Sequence, residues 1–146
     1  MDMQAYFSFL SQLRQALDSL TALEQEKIQA VQAGDLETLD ACMKREQVAT
    51  LDLRGRERKR TELLRQLGLE QVSLRELPAH CSPQDRGQAA ELSEQVLRSY
   101  QVLSSAQQAA RTLMESNLRH IQQELDRRQQ TPEAPASQKS QTDFRV

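Results

Sequence analysis

Few side chains in this sequence have the types and spacing that catalysis or metal binding would need. The two histidines are His80 and His120, and only His80 has a cysteine beside it, Cys81. A zinc site needs three or four ligands, and this pair supplies two. The four glycines are scattered along the chain, so no glycine-rich phosphate loop is formed. We therefore predict that the protein is not an enzyme and has no metal or cofactor.

Charged residues are abundant, but their setting favours solvated helix faces. Carboxylate pairs such as Glu24 and Glu26 have basic neighbours and no evident pocket that would raise a pKa, so we expect them in solvent. The run from Arg54 to Arg60 contains five bases, which could contact phosphates. No aromatic residues alternate with these bases for stacking, and the net charge of the chain is −2. We expect no nucleic acid as a partner, with a basic-helix DNA or RNA binder as an open alternative.

The composition favours long helices over sheets. Gln, Leu, Glu, Arg and Ala dominate the 146 residues, and aromatic residues make up only 3%. The two cysteines, Cys42 and Cys81, are too few for a disulfide scaffold, so a reducing compartment suits them. No apolar run approaches the roughly 20 residues of a membrane span, and the N-terminus lacks the basic region of a signal peptide. We expect a cytoplasmic all-α protein with no direct membrane insertion.

Two helices of similar length are predicted to meet at Gly34 and Asp35. In the first, over residues 2–33, apolar residues recur at steps of three and four and form one stripe. Gly34 suits the left-handed position after a helix end, and Asp35 can cap the N–H groups that begin the next helix. The second helix is predicted over 36–67, antiparallel to the first because the connection is short. Its basic middle section contains Gly55, where the helix could bend.

A third, longer helix follows a short linker. The capping box from Ser73 to Glu76 predicts a helical turn over 74–77, which Pro78 would end. Ser82 and Pro83 predict the start of a helix over 83–130. Residues 131–146 are polar and contain prolines, so we expect a disordered tail. The predicted fold is an antiparallel three-helix bundle or coiled-coil hairpin over 1–130, with a long C-terminal helix and a flexible tail over 131–146.

The distal part of this third helix carries an apolar stripe that two shorter neighbours would leave uncovered. The stripe consists of Met114, Leu118, Ile121 and Leu125. An uncovered apolar stripe with a methionine is typical of a partner site, and it suits an amphipathic helix lying in a groove. The stripe could hold another protein. It could instead pair with its own copy, which would make the chain a self-associating coiled-coil scaffold or adaptor and a homodimer.

An ordered set of segments in the first two helices resembles the FlgN family of flagellar export chaperones. The similar segments are 26–39 (EKIQAVQAGDLETL), Lys44, 58–69 (RKRTELLRQLGL) and the linker 73–77 (SLREL). The resemblance covers the first two helices well and the third by pattern only.

This resemblance implies a cytoplasmic chaperone of bacterial flagellum biogenesis and type III secretion. Such chaperones bind the C-terminal helices of hook-associated (hook–filament junction) proteins, prevent their premature assembly and deliver them to the flagellar export gate. The resemblance places client binding on the distal part of the third helix. The corresponding residues here are Ala110, Leu113, Met114, Leu118, Ile121 and Leu125.

The chain departs from the family pattern in two places. Family members often carry asparagines in the first part of the client-binding segment, where this chain has Gln107, Gln108 and Ala110. Members also often carry a Tyr-Gly in the tail that is linked to gate docking. The tail of this chain has no tyrosine. Phe144 is the residue that could replace it in export-gate docking.

Overall fold

The computed structural model describes residues 3–129, except for the side chains at positions 121, 124, 125 and 128. Three α-helices form most of this part: α1 (Met3–Ala33), α2 (Leu36–Gln66) and α3 (Arg86–Gln129). Both α1 and α2 contain 31 residues, whereas α3 contains 44. The predicted all-α bundle with a long third helix is confirmed. The predicted tail, 131–146, lies outside the described residues.

The central element of the bundle is α1. It packs against both α2 and α3, while within residues 3–129 no Cα atom of α2 comes within 8 Å of one in α3. A helix can serve two neighbours only when its buried stripe is wide, and adjacent aromatic residues at the start of α1 widen it. The buried α1 residues include Tyr6, Phe7, Phe9, Leu10, Leu13, Leu17, Leu20 and Leu23. The two outer helices therefore leave a groove between them, with α1 as its floor.

The turn between α1 and α2 forms as the local signals predict. Gly34 has a positive φ of 70°, and the N–H of Asp35 donates to the carbonyl of Ala30 at 2.9 Å. The Asp35 carboxylate accepts hydrogen bonds from the backbone N–H of Thr38 at 3.1 Å and from its hydroxyl at 2.7 Å. These bonds lower the pKa of Asp35. The chain therefore ends one helix and begins the next with almost no loop.

The linker before α3 differs from the prediction. The capping box forms, because the N–H of Ser73 donates to Glu76 Oε1 at 3.1 Å and the N–H of Glu76 donates to Ser73 Oγ at 3.3 Å. However, Pro78 does not end a turn: it lies in the first turn of a short 3₁₀ helix, Leu77–His80, where its missing N–H is not needed. The predicted helix start at residue 83 is also early, since 83–85 form a turn before Arg86.

The basic section of α2 is partly built into the bundle. The helix continues unbroken through Gly55. Arg56 Nε lies 2.8 Å from Asp52 Oδ2, and Lys59 Nζ lies 5.8 Å from the centroid of the Phe9 ring on α1. The ion pair stabilises α2 itself, and the cation–π contact stabilises the packing of α2 against α1. The run of five bases is thus not a uniformly free cationic surface.

Candidate functional site

The groove between α2 and α3 contains a cavity of about 820 Å³ that all three helices line. Its floor comes from α1, and its walls come from the second half of α3 and the first half of α2. The lining residues are Glu24 and Lys27 on the floor, Met43, Glu46 and Gln47 on the α2 wall, and Gln107, Arg111, Met114, Glu115 and Leu118 on the α3 wall. Among the wall residues, Met43, Met114 and Leu118 are apolar and the others are polar or charged. Such a mixed lining suits an elongated partner that presents both apolar side chains and a polar group on one face.

Burial of the predicted client-binding residues decreases along α3. Ala110 is 1% exposed and packs inside the bundle, Leu113 and Met114 are half-buried, and Leu118 is 41% exposed. The backbones of Ile121 and Leu125 continue the helix, but their side chains lie outside the described residues, as does the whole of Phe144. Among the described members of the set, Leu113, Met114 and Leu118 are therefore the ones that remain accessible to a partner.

Met114 and Leu118 lie beside the α1–α2 turn and share a small apolar pocket with Leu36 and Leu39. The side chain of Leu36 is 63% exposed. Leu36 is the first residue of α2, at the very edge of the bundle, which explains this exposure. We call Leu36, Met114 and Leu118 the turn-end patch.

At the floor of the cavity, Glu24 and Lys27 of α1 meet Glu46 of the α2 wall. Glu24 is 1% exposed and Lys27 is 6% exposed. Lys27 Nζ donates to both oxygens of Glu46, at 2.9 and 3.0 Å, and lies 3.4 Å from Glu24 Oε1. The second oxygen of Glu24, Oε2, is buried and accepts no hydrogen bond from any donor in the described part of the chain. The expectation that Glu24 lies on a solvated face is therefore wrong.

Burial raises the pKa of Glu24 to about 7, because removal from water disfavours the charged carboxylate. Glu46 acts in the same direction, since it can accept a hydrogen bond from a protonated Glu24, while Lys27 opposes it. Burial also disfavours the charged form of Glu46, but its hydrogen bonds with Glu24 and Lys27 outweigh this effect and lower its pKa. Near neutral pH, Glu24 is therefore divided between its two protonation states beside an ionised Glu46.

The periodicity of α1 contained the signal for this buried charge. Glu24 and Lys27 occupy the steps of four and three that continue the apolar stripe from Leu20 towards Val31. The charge of Glu24 favours a position in solvent, but its place in the periodic pattern puts it on the buried face, together with Lys27.

The family comparison agrees with this architecture. The family model described as FlgN protein matches residues 1–138. The chain belongs to the FlgN family. These are flagellar export chaperones, so the resemblance drawn from the sequence is confirmed, and with it a general role in flagellar export. Comparison with curated proteins and with solved structures returned no match.

In this FlgN chain the far end of the groove lies at Tyr100 of α3. Tyr100 is near Glu57 and Arg60 of α2, and Tyr6 of α1 is near the same Arg60. The Tyr100 hydroxyl is buried and makes no hydrogen bond within residues 3–129. Burial, followed by the neighbouring Glu57, raises the pKa of Tyr100. This end and the turn-end patch lie at opposite ends of the groove.

Residues 3–129 contain no group of three or more His, Cys, Asp or Glu side chains arranged to hold a metal ion. None of the helices formed by these residues combines the length and the hydropathy that crossing a bilayer demands.

Proposed function

We propose that this FlgN chain is a chaperone for hook–filament junction proteins, and that it binds their C-terminal helices along the distal part of α3. Binding there would prevent premature assembly of the clients until they are delivered to the export gate. The observation that carries the proposal is the turn-end patch: Leu118 and Leu36 are 41% and 63% exposed where the groove reaches the α1–α2 turn.

The length of α3 supports this placement. The helix continues from Leu118 to Gln129, roughly 16 Å at 1.5 Å per residue. The described side chains of this extension are exposed. A client helix would contact Leu113, Met114 and Leu118, and Ile121 and Leu125 would prolong the stripe. Ala110 lies beneath this contact and would support it from within the bundle.

The binding energy would come mainly from apolar burial, at about 25 cal/mol for each Å² removed from water. Such a surface can protect the apolar helices of an unassembled client and still release them, because no covalent step is involved. We place this cycle in the cytoplasm. We also propose that Phe144, in place of the tyrosine that family members often carry in the tail, contacts the export gate.

The proposal is tested by capture of a purified junction protein with Leu118→Asp. A carboxylate in the turn-end patch must be desolvated when a client helix binds, so we expect at least about a tenfold weaker Kd. The matched control is Leu51→Asp on α2, because Leu51 is 67% exposed and does not line the groove. Equal capture by both variants, with unchanged circular dichroism, would contradict the proposed site.

Light scattering separates this function from the self-associating scaffold. A chaperone that keeps its client apart should bind one client chain through the patch, and Leu118→Asp should leave its own oligomeric state unchanged. A dimer that persists on dilution and that Leu118→Asp dissociates would favour the scaffold instead.

A further inference from the structure

The floor of the groove contains a hydrogen-bond acceptor that the described chain does not satisfy. Glu24 is 1% exposed and lines the cavity, and its Oε2 atom has no donor within residues 3–129. Lys27 does not donate to Oε2, because its Nζ donates to both oxygens of Glu46 and approaches only the Oε1 atom of Glu24. Buried carboxylate oxygens normally have donors, so a donor supplied from outside would be favoured here.

The charges around this oxygen favour a cation as that donor. On the floor, Lys27 faces both Glu24 and Glu46, so full ionisation leaves one negative charge uncompensated. The other charged groups that line the cavity are Arg111 and Glu115 of α3, one of each sign, and both are exposed. The remaining lining residues are uncharged. The net negative charge therefore lies at Glu24, Lys27 and Glu46, where the floor meets the α2 wall.

We propose that the Glu24 carboxylate is a subsite for a basic side chain, arginine or lysine, carried on the apolar face of the bound client helix. This inference rests on the proposed function, because it names the chemistry of the client in the same groove. The long stem of a basic residue can pack against Met43 and Met114 while its charged head reaches the floor. Leu118 receives the apolar side chains one turn further along the client helix.

The subsite also couples client binding to protonation. A protonated Glu24 donates to Glu46 and offers no negative charge, so only the ionised form binds a cation. The charged groups facing Glu24 are Lys27 on α1, Glu46 on α2, and Arg111 and Glu115 on the α3 wall. Histidine is the residue type that ordinarily titrates near neutral pH, and none lines this cavity. Binding should therefore strengthen from pH 6 to pH 8 through Glu24, whose pKa is about 7.

The test is calorimetric titration of the full chain with a purified junction protein at pH 6 and pH 8. If only ionised Glu24 binds, Kd should be about tenfold tighter at pH 8 than at pH 6, with release of a proton on binding. Glu24→Gln should bind more weakly at pH 8 and should lose the pH dependence. The control is Glu91→Gln, which removes an exposed carboxylate of α3 that does not line the cavity and should keep the pH dependence.

The client provides a second test that leaves the chaperone unchanged. Each lysine and arginine in the C-terminal helix of the junction protein is replaced by methionine. One replacement should weaken binding at pH 8 by at least about tenfold and should have no further effect in the Glu24→Gln background. If Glu24→Gln and every client replacement keep the native Kd and pH dependence, the subsite is wrong although the chaperone stands. If the unmodified chain fails to bind the junction protein, the proposed function itself is wrong.

Discussion

At the scale of single residues, the buried carboxylate of Glu24 is unfavourable for the stability of the bundle. Burying a charge has a desolvation penalty, which an ion pair offsets only when every polar atom of the pair is hydrogen-bonded. The Oε2 atom of Glu24 has no hydrogen-bond partner within residues 3–129. Leucine at this position would continue the stripe that includes Leu20. The carboxylate therefore reduces the stability of the free protein, which is consistent with a role in binding a partner.

This cost predicts how stability depends on pH. The pKa of Glu24 is raised from 4.5 to about 7 on folding, so the folded state binds more protons than the unfolded state between these values. The free energy of unfolding contributed by this group is then present below about pH 4.5 and is lost as pH rises through about 7. We expect the native chain to lose roughly 1–3 kcal/mol between pH 5 and pH 8 from this source, measured by urea unfolding.

Glu24→Gln should remove most of this pH dependence, because a carboxamide does not titrate. Glu91→Gln is the control, since Glu91 lies exposed on α3 and should leave the dependence as it is. An unchanged pH dependence in Glu24→Gln would show that another group is responsible.

At the scale of elements, local signals predicted the helices and their first junction. Gly34 and Asp35 form the turn through their own backbone conformation and through bonds to residues nearby in the sequence. The local sequence was therefore sufficient to predict the turn. The position of Pro78 and the exposure of Leu36 depend on how the helices pack. The apolar stripes, the α1–α2 turn and the helix lengths could thus be predicted from the sequence. The central position of α1 could not, and therefore neither could the burial of Glu24.

Two glycines in different settings provide a test of these elements. Gly34→Ala should lower the free energy of unfolding by about 1 kcal/mol, because a side chain is strained at a φ of 70°. Gly55→Ala should raise it by about 0.5–1 kcal/mol, because Gly55 lies inside α2 and an added Cβ would meet nothing within 4 Å. Thermal or urea unfolding measures both, and a destabilising Gly55→Ala would contradict the unbroken α2.

At the scale of the whole molecule, stability and binding are assigned to different parts. The core lies along α1 and is formed where α1 meets its two neighbours. The turn-end patch lies at the edge, where few side chains cover it. Truncating an apolar side chain in one part should therefore leave the other largely unaffected, whereas Glu24 on the cavity floor bears on both stability and the proposed binding.

Truncating one leucine in each part tests this division. Leu17→Ala should lower the free energy of unfolding by about 2–5 kcal/mol, because Leu17 is fully buried on α1. Leu118→Ala should lower it by less than about 1 kcal/mol, since Leu118 is 41% exposed, while weakening client binding. Similar losses of stability in the two variants would argue against a patch that is free in the monomer.

The missing backbone contact between α2 and α3 has a mechanical consequence. Within residues 3–129, α2 is held by α1, and α3 is held by α1 and the 3₁₀ helix Leu77–His80. Because α2 and α3 have no backbone packing between them, a change in their separation would break none. Leu36 and Leu118 lie on the two sides of this gap, so a groove of adjustable width would accommodate client helices of different diameters.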